Sequence, residues 1–159
     1  MRLPLALRHT ASLLLPLLLF LAAGCTEGVS SRFYTMETDG WEQEDTLSFP
    51  LDSVTAPGRY ALTLTLRLSA ARPYPYTDIC LLYERLLPSD TASRELSLPL
   101  TEGRNDMSGS GVSLYAYDVP LDTLQLREGE SGLFRLAHTM RLSPLTGVRD
   151  VGLTWRRLP

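Results

Sequence analysis

The sequence contains no lysine, so all 15 of its basic residues are arginine. It also has only two cysteines and two histidines. There is accordingly no pair of cysteines at zinc spacing, and the Gly-x-Ser-x-Gly, His-Glu-x-x-His and P-loop motifs are missing. These absences exclude the hydrolases, metalloproteases and nucleotide-binding proteins that such motifs define. We therefore expect no catalytic residues, no cofactor and no metal.

Two groups of polar residues remain as candidates for chemistry. His138 falls at an inward position of a predicted strand, where a histidine packed in the core is more common than a general base. Glu42, Glu44 and Asp45 are close enough in sequence to contribute to a calcium site, but neighbouring carboxylates on a protein surface are usually just solvated. Neither group changes the expectation of a non-enzymatic protein.

The sequence has one long apolar run, residues 11–23, which is short for a membrane span because a helix needs about 20 apolar residues to cross a bilayer. Two arginines precede this run, and it ends in small residues directly before Cys25. A positive start and a short apolar middle predict a secretory signal, and small residues before a cysteine are typical of a bacterial lipobox. We expect residues 1–24 to be removed and Cys25 to hold a lipid anchor of several acyl chains, palmitate among them.

The remaining residues, 25–159, are enough for one domain. They hold 13 of the 15 arginines against all 18 acidic residues, a formal charge of −5. A weakly acidic domain offers no electrostatic basis for binding nucleic acid. With Cys25 lipidated, Cys80 is the only thiol left, so no intramolecular disulfide can form. Cys80 lies in an apolar run and is predicted to be buried and inert.

Most of the domain shows the two-residue period of β-strands. Every second residue from Tyr60 to Leu68 is large and apolar, whereas the residues between them, including Thr65, are small or polar. This alternation predicts a strand over residues 59–68 with one buried and one exposed face. Glycine and proline turn signals separate the other strand candidates. We place these at residues 46–51, 79–86, 95–100, 113–118, 121–126, 133–142 and 151–155.

Seven or eight short strands in about 120 residues, with no helical period and no repeat, predict an all-β fold. We expect an antiparallel β-sandwich of jelly-roll or Ig-like type over residues 40–159. The segment 79–86 is almost entirely apolar, which predicts a central strand covered on both faces. Residues 25–39 are polar and show no strong period, so they are predicted to be a flexible tether between the lipid anchor and the sandwich.

Aromatic side chains are the candidate contact residues. Tyr74 and Tyr76 flank Pro75, and the prolines hold this connection stiff and extended. A rigid, exposed aromatic pair would bind a partner protein at a low entropic cost, and such rings also stack on sugars. Trp41 is the third candidate for contact with a partner or a ligand. The alternative is structural, with these rings covering the open ends of the sandwich.

Several short elements stand in a characteristic order behind the lipobox. They are Gly40-Trp41, Asp45-Thr46-Leu47-Ser48-Phe49, Gly58-Arg59-Tyr60, Tyr74-Pro75-Tyr76, the glycine-rich residues 103–111, Met140-Arg141, and the closing run Leu145-Thr146-Gly147-Val148-Arg149-Asp150-Val151-Gly152-Leu153. In this order they resemble the GldH family of gliding-motility lipoproteins from Bacteroidetes. The resemblance covers most of the chain after Cys25, and its closing run matches best.

The resemblance implies an envelope lipoprotein that is a structural or assembly component of the gliding motility and type IX secretion apparatus. It implies contacts with the membrane through Cys25 and with other envelope or gliding-motility proteins, and it implies no catalytic residues. A carbohydrate-binding lipoprotein that uses exposed tyrosine and tryptophan rings stays open as the alternative. Thr26 stands where inner-membrane lipoproteins of enteric bacteria carry aspartate, so we expect an outer-membrane anchor with the domain facing the periplasm.

Overall fold

The computed structural model describes residues 28–102, 106–107, 109 and 113–159. The predicted signal and Cys25 therefore lie outside the described residues, as does most of the glycine-rich segment 103–111. The described chain is an all-β sandwich of eight strands in two antiparallel sheets of four, with one additional two-stranded hairpin. No helix in the described residues is long and apolar enough to span a membrane.

The order of the strands identifies the type of sandwich. The first sheet has the order β1-β10-β3-β8, and the second has the order β2-β9-β4-β5. Each connection between long strands crosses to the other sheet, except for the β4–β5 hairpin. This is the jelly-roll order, one of the two predicted types. The strands are β1 (Val29–Thr35), β2 (Leu47–Leu51), β3 (Gly58–Ser69), β4 (Asp78–Leu86), β5 (Thr91–Pro99), β6 (Thr101–Glu102), β7 (Asp106–Met107), β8 (Leu114–Leu126), β9 (Gly132–His138) and β10 (Val148–Arg157).

The core lies between the two sheets because alternation turns one face of each strand inward. The four alternating leucines of β3 are at most 1% exposed, which confirms the predicted register of this strand. Phe134 of β9 lies between Tyr83 of its own sheet and Trp155 of the opposite sheet, with ring centroids 6.4 and 6.1 Å away. These large rings fill the centre of the sandwich.

The outer face of the first sheet is partly covered, which corrects the expectation that the polar face of β3 is exposed. Thr65 is only 8% exposed, and its hydroxyl donates a hydrogen bond of 2.6 Å to Oδ1 of Asp118 on β8. Gly152 of β10 pairs with Thr65, and Phe33 of β1 pairs with Gly152 on its other side. The ring of Phe33 lies directly over Gly152, where a Cβ would meet ring atoms at 2.3 Å. The glycine therefore makes room for an aromatic ring of β1.

The predicted burial of β4 on both faces is wrong. Its residues alternate regularly between buried and half-buried, because the described chain places no further layer over the outer face of the second sheet. Cys80 is consequently half-buried and not fully buried, and its Sγ lies 3.8 Å from Oδ2 of Asp78.

Several predicted strand boundaries also change, and β5 and β10 both begin earlier than predicted, at Thr91 and Val148. Residues 113–118 and 121–126 belong to the single strand β8, whose register against β3 shifts between Leu62 and Thr63. This irregularity reverses the inward phase along β8, and Pro120 is tolerated because β8 is an edge strand. β9 ends at His138, so Leu142 is 44% exposed instead of continuing the inward face.

The start of the sandwich differs from the predicted boundary at residue 40. Seven residues of the predicted tether form β1, which pairs with β10 from Val29 to Thr35. β1 is an edge strand with largely exposed side chains, so its sequence carries no inward face of apolar residues. The hydrogen bonds of its backbone to β10 hold it in the sheet.

Candidate functional site

Three connections meet at one end of the sandwich, which we call the motif end. They are residues 36–46 between β1 and β2, residues 70–77 between β3 and β4, and residues 139–147 between β9 and β10. These connections carry Gly40-Trp41, Tyr74-Pro75-Tyr76 and the start of the closing run. Elements far apart in the sequence are therefore brought together in one place.

Trp41 joins the first connection to the third. Its N–H donates to the carbonyl of Leu145 at 3.2 Å, and the N–H of Leu145 donates to the carbonyl of Trp41 at 2.7 Å. The indole is fully buried, and its Nε1 donates to the carbonyl of Asp45 at 2.8 Å. Gly40 must lack a side chain here, because a Cβ would lie 2.8 Å from the Leu145 carbonyl oxygen. Trp41 thus fixes the course of both connections.

His138 belongs to the same cluster. It is 1% exposed, its Nε2 lies 2.9 Å from the carbonyl oxygen of Trp41, and its ring meets the Trp41 ring edge to face at 5.1 Å. A histidine closed off from solvent in this way has no access to a substrate. The predicted core role of His138 agrees with this position.

Tyr74 joins the second connection to the third. It is 6% exposed, and its hydroxyl donates to the carbonyl of Asp78 at 3.0 Å. Burial, followed by the nearby Asp78 carboxylate, raises the pKa of the Tyr74 hydroxyl well above its usual range, so the hydroxyl stays protonated and remains a donor. Gly147 packs against the backbone of Tyr74, and its own carbonyl accepts a hydrogen bond from the N–H of Ser69 at 2.8 Å.

Polar contacts complete the motif end. The Arg72 guanidinium donates to the carbonyl of Thr38, which fastens the second connection to the first. Ser143 bridges the third connection to the first, since its hydroxyl accepts from the N–H of Gln43 at 2.9 Å and donates to Oε2 of Glu42 at 2.8 Å. The three connections are therefore held to one another by backbone, aromatic and polar contacts.

Two open clefts flank residues 36–40 at the motif end. One, of about 250 Å³, is lined by Met36, Glu37, Arg72 and Arg149 among others, and the other, of about 380 Å³, includes Glu44. Both are shallow, and neither contains a nucleophile paired with a base. Their linings combine charged, polar and apolar side chains.

The three predicted contact residues lie together at the motif end, but two of them are not exposed. Trp41 and Tyr74 are buried, whereas Tyr76 is half-buried and meets the Tyr74 ring edge to face at 5.7 Å. The structure therefore corrects the prediction that Tyr74 and Tyr76 form an exposed pair. The reason is that Tyr74 closes the sandwich over Gly147, so these rings cover its end. This arrangement does not provide the platform that sugar stacking requires.

Gly147 gives a test of how closely the connections approach. It has φ +89°, and a Cβ would lie 2.7 Å from Cα of Tyr74. Gly129 has φ +74° with nothing within 4 Å of the corresponding Cβ position. We expect Gly147→Ala to lower the free energy of unfolding by about 2–3 kcal/mol, from backbone strain and overpacking. Gly129→Ala should cost about 1 kcal/mol, from backbone strain alone.

Denaturant unfolding of both purified alanine variants measures this difference. Equal losses at Gly147 and Gly129 would mean that the second and third connections are not in contact at this point.

The acidic residues of the first connection do not gather into a metal site. Glu42, Glu44 and Asp45 are all exposed, and Glu42 accepts the hydrogen bond from Ser143. Among the residues that the structure describes, no group of three or more histidine, cysteine, aspartate or glutamate side chains is placed to hold a metal ion.

An ion cluster between the two sheets was missed from the sequence. Arg85 of β4 is 9% exposed and donates to Asp122 of β8 and to Asp90 in the β4–β5 hairpin. Asp122 also lies 4.0 Å from Arg94. A buried charge needs such partners. The sequence did contain a signal for this cluster, because Arg85 continues the alternation of buried residues along β4.

The other end of the sandwich, which we call the opposite end, comprises Gly28 and residues 52–59, 87–90, 127–131 and 156–159. Glu130 closes its connections. The main-chain carbonyl of Glu130 accepts from the N–H of Val54 at 2.9 Å, and its carboxylate accepts from the hydroxyl of Ser89 and the N–H of Arg127. The hydrogen bond from Ser89, followed by that from Arg127, lowers the pKa of the Glu130 carboxyl.

This lowered pKa predicts a pH dependence of stability. A carboxyl whose pKa is lower in the folded state stabilises the fold above its unfolded pKa of about 4.3, and this contribution is lost as the pH falls through the folded value. Glu130→Gln should therefore cost about 1.5 kcal/mol at pH 7, the lower end for hydrogen bonds to a charged group. The difference from the parent protein should shrink below about pH 4.3.

Glu128→Gln is the matched control because Glu128 is exposed in the same connection. Denaturant unfolding at pH 7 and at several lower pH values should show a small and constant effect at Glu128. An effect of Glu130→Gln that does not change with pH would contradict a role for the ionised carboxylate.

The protein is an all-β jelly-roll domain, and contacts of tryptophan, tyrosine and glycine residues hold the three connections of its motif end together. The family model of the GldH lipoprotein matches residues 28–154 of this chain. The chain therefore belongs to the GldH lipoprotein family, which confirms the resemblance seen in the sequence. The match includes β1, and the family is one of lipid-anchored envelope proteins. No curated protein matches the chain in sequence.

Proposed function

We propose that the protein is a non-enzymatic lipoprotein of the gliding motility and type IX secretion apparatus. It acts as a structural or assembly component that binds other envelope proteins through its motif end. The observation that carries this proposal is that Gly40-Trp41, Tyr74-Pro75-Tyr76, Met140-Arg141 and the start of the closing run meet at that end. Their large side chains Trp41, Tyr74 and Leu145 are buried, so they shape and stiffen a surface instead of performing chemistry on it.

The exposed side chains of the motif end form the contact surface in this proposal. Leu142 is the most exposed large apolar residue of the three connections, at 44%, and it adjoins Ser143, which is bonded to the first connection. Tyr76 is half-buried against Tyr74. Because the connections are bonded to one another, these side chains lose little conformational entropy on binding a partner. Tyr74 and Trp41 support the surface from below.

The anchor is the second part of the proposal. Cys25 receives the acyl chains, and the domain stands in the periplasm on the outer membrane. Supporting this are the family membership, the apolar run before Cys25, and Thr26 after it. We expect Cys25→Ser to abolish incorporation of a fatty-acid probe and to leave the precursor uncleaved. Equal labelling of this variant and the parent protein would rule out Cys25 as the anchor.

Complementation of a deletion strain tests the contact function. Deletion of the gene is expected to impair surface spreading and secretion, and the full-length gene should restore both. Leu142→Asp combined with Tyr76→Ala should be lipidated and folded but should fail to restore either. Gln125→Ala is the control, because Gln125 is exposed at the far end of β8 and the change adds no charge.

The same strain tests the absence of catalysis. His138→Ala should complement to the extent that the variant folds, because the ring is enclosed in the motif end. A folded His138 variant that fails, together with a Leu142/Tyr76 variant that complements fully, would contradict the contact function and support an enzymatic one.

A further inference from the structure

We propose that the opposite end of the sandwich lies against the phospholipid headgroups of the leaflet that holds the anchor, with the motif end pointing away from the membrane. This inference rests on the proposed lipid anchor at Cys25. It adds the orientation of the domain and a second membrane contact, made by protein side chains.

The short distance along the chain from Cys25 to β1 limits how far the domain can stand from the membrane. Val29 is already paired with Arg156 in the first sheet. Four residues of extended chain span at most about 14 Å, so Val29 lies within this distance of the acylated cysteine. Gly28 belongs to the opposite end, and β1 begins beside it at Val29 and runs toward the motif end. From Ser30 to Thr35 it rises about 16 Å, at about 3.3 Å per residue.

Three arginines are gathered where β1 begins. Arg59, Arg156 and Arg157 are all exposed. Arg59 at the start of β3 lies next to Arg157 at the end of β10, because the N–H of Leu158 donates to the carbonyl of Arg59 at 2.8 Å. Within the described part of the chain none of the three has a carboxylate within 4.0 Å. The Arg157 guanidinium donates to the carbonyl of Pro57 at 3.1 Å.

Unpaired guanidinium groups suit a phosphate surface. Arginine donates two parallel hydrogen bonds to a phosphate and is more weakly hydrated than lysine, so it transfers readily to a headgroup layer. Attraction of basic side chains to anionic lipids falls off within about a Debye length of the surface. Because Val29 lies within about 14 Å of Cys25, the three arginines beside it lie at a distance from the headgroups that is comparable to the Debye length.

The distribution of negative charge favours the same orientation. The first connection of the motif end carries five carboxylates and no basic residue between positions 36 and 46. Anionic phosphates repel this segment, which favours an orientation that keeps the first connection away from the bilayer. The five are Glu37, Asp39, Glu42, Glu44 and Asp45.

The competing orientation lays β1 flat on the membrane, since Phe33 and Tyr34 are 42% and 39% exposed. Both rings are already engaged within the domain. The Arg67 guanidinium lies 4.8 Å above the Phe33 ring, and the Tyr34 hydroxyl donates to the carbonyl of Ser48 at 2.6 Å. Inserting either ring into the lipid would disturb these contacts, so the upright orientation is preferred.

The two tryptophans report on the two ends. Trp155 pairs with Ser30 near the start of β1, whereas Trp41 lies in the motif end. The lipidated chain is reconstituted into vesicles of phosphatidylethanolamine and phosphatidylglycerol that contain a dansyl-labelled phospholipid. Trp41→Phe leaves Trp155 as the donor for energy transfer, and Trp155→Phe leaves Trp41. We expect transfer from Trp155 to exceed transfer from Trp41 several-fold.

Equal transfer from both tryptophans, or stronger transfer from Trp41, in protein that floats with the vesicles would overturn the orientation while leaving the anchor intact. Protein that does not float at all would overturn the anchor, and the orientation with it. Replacing Arg59, Arg156 and Arg157 by glutamine should reduce the ratio of the two transfers, more strongly at low salt. An unchanged ratio would contradict the contact between these arginines and phosphate.

A second pair of probes serves if either tryptophan variant fails to fold. Cysteines at the exposed positions Thr38 and Gln125, in a Cys80→Ser background, place one dye at the motif end and the other in β8 next to the opposite end, where Gln125 pairs with Arg59. The dye at Gln125 should transfer energy to the membrane acceptor several-fold more efficiently than the dye at Thr38. The reverse order, or equal efficiencies, would overturn the orientation.

Discussion

Replacing Trp41 by alanine is expected to lower the free energy of unfolding by about 3–5 kcal/mol, the range for emptying a buried aromatic site. The indole is fully buried between the first and third connections. Its removal leaves a cavity beside His138 and deprives the Asp45 carbonyl of its donor. Denaturant unfolding of the purified domain, monitored by circular dichroism, measures the loss.

Trp41→Phe is the matched control because it keeps an aromatic ring but loses the Nε1 donor. It should cost about 1–2 kcal/mol, from one hydrogen bond and a smaller cavity. Losses at Trp41→Ala as small as those at exposed positions would show that the ring is not enclosed. The motif end would then lack the rigidity that the contact function requires.

The second large effect is expected in the centre of the sandwich. Leu64→Ala should cost about 2–5 kcal/mol, since Leu64 is fully buried on the inner face of β3. Thr65→Ala, one residue further, should cost about 1 kcal/mol because it removes the hydrogen bond to Asp118 on the outer face. Denaturant unfolding of the two variants shows which face of β3 is packed in the core. A larger loss at Thr65 than at Leu64 would mean that the register of β3 is wrong by one residue.

The sequence predicts the fold well where side chains alternate. The leucines of β3 and the apolar residues of β10 define strands with one inward face, and the sandwich follows from their number and spacing. β1 could not be predicted in this way, because its largely exposed side chains carry no alternation and its place depends on backbone pairing with β10. β8 was divided in two because its irregular register reverses the inward phase.

The motif end was predictable in its residues but not in its geometry. Trp41, Tyr74 and Tyr76 were all identified as candidates, and the structure brings them to one end. Their burial could not be derived from periodicity, since all three lie in connections between strands, where exposure depends on long-range contacts. Gly147 packing against Tyr74 is such a contact, across more than 70 residues.

Photo-crosslinking in living cells tests binding through the motif end. A photoreactive amino acid is placed at Leu142 in the motif end, or at Gln125 in the opposite half of β8, in the lipidated full-length protein. We predict discrete adducts with envelope proteins from position 142 and none with protein from position 125. Protein adducts confined to position 125, or an absence of protein adducts at position 142 in cells that spread and secrete normally, would contradict binding through the motif end.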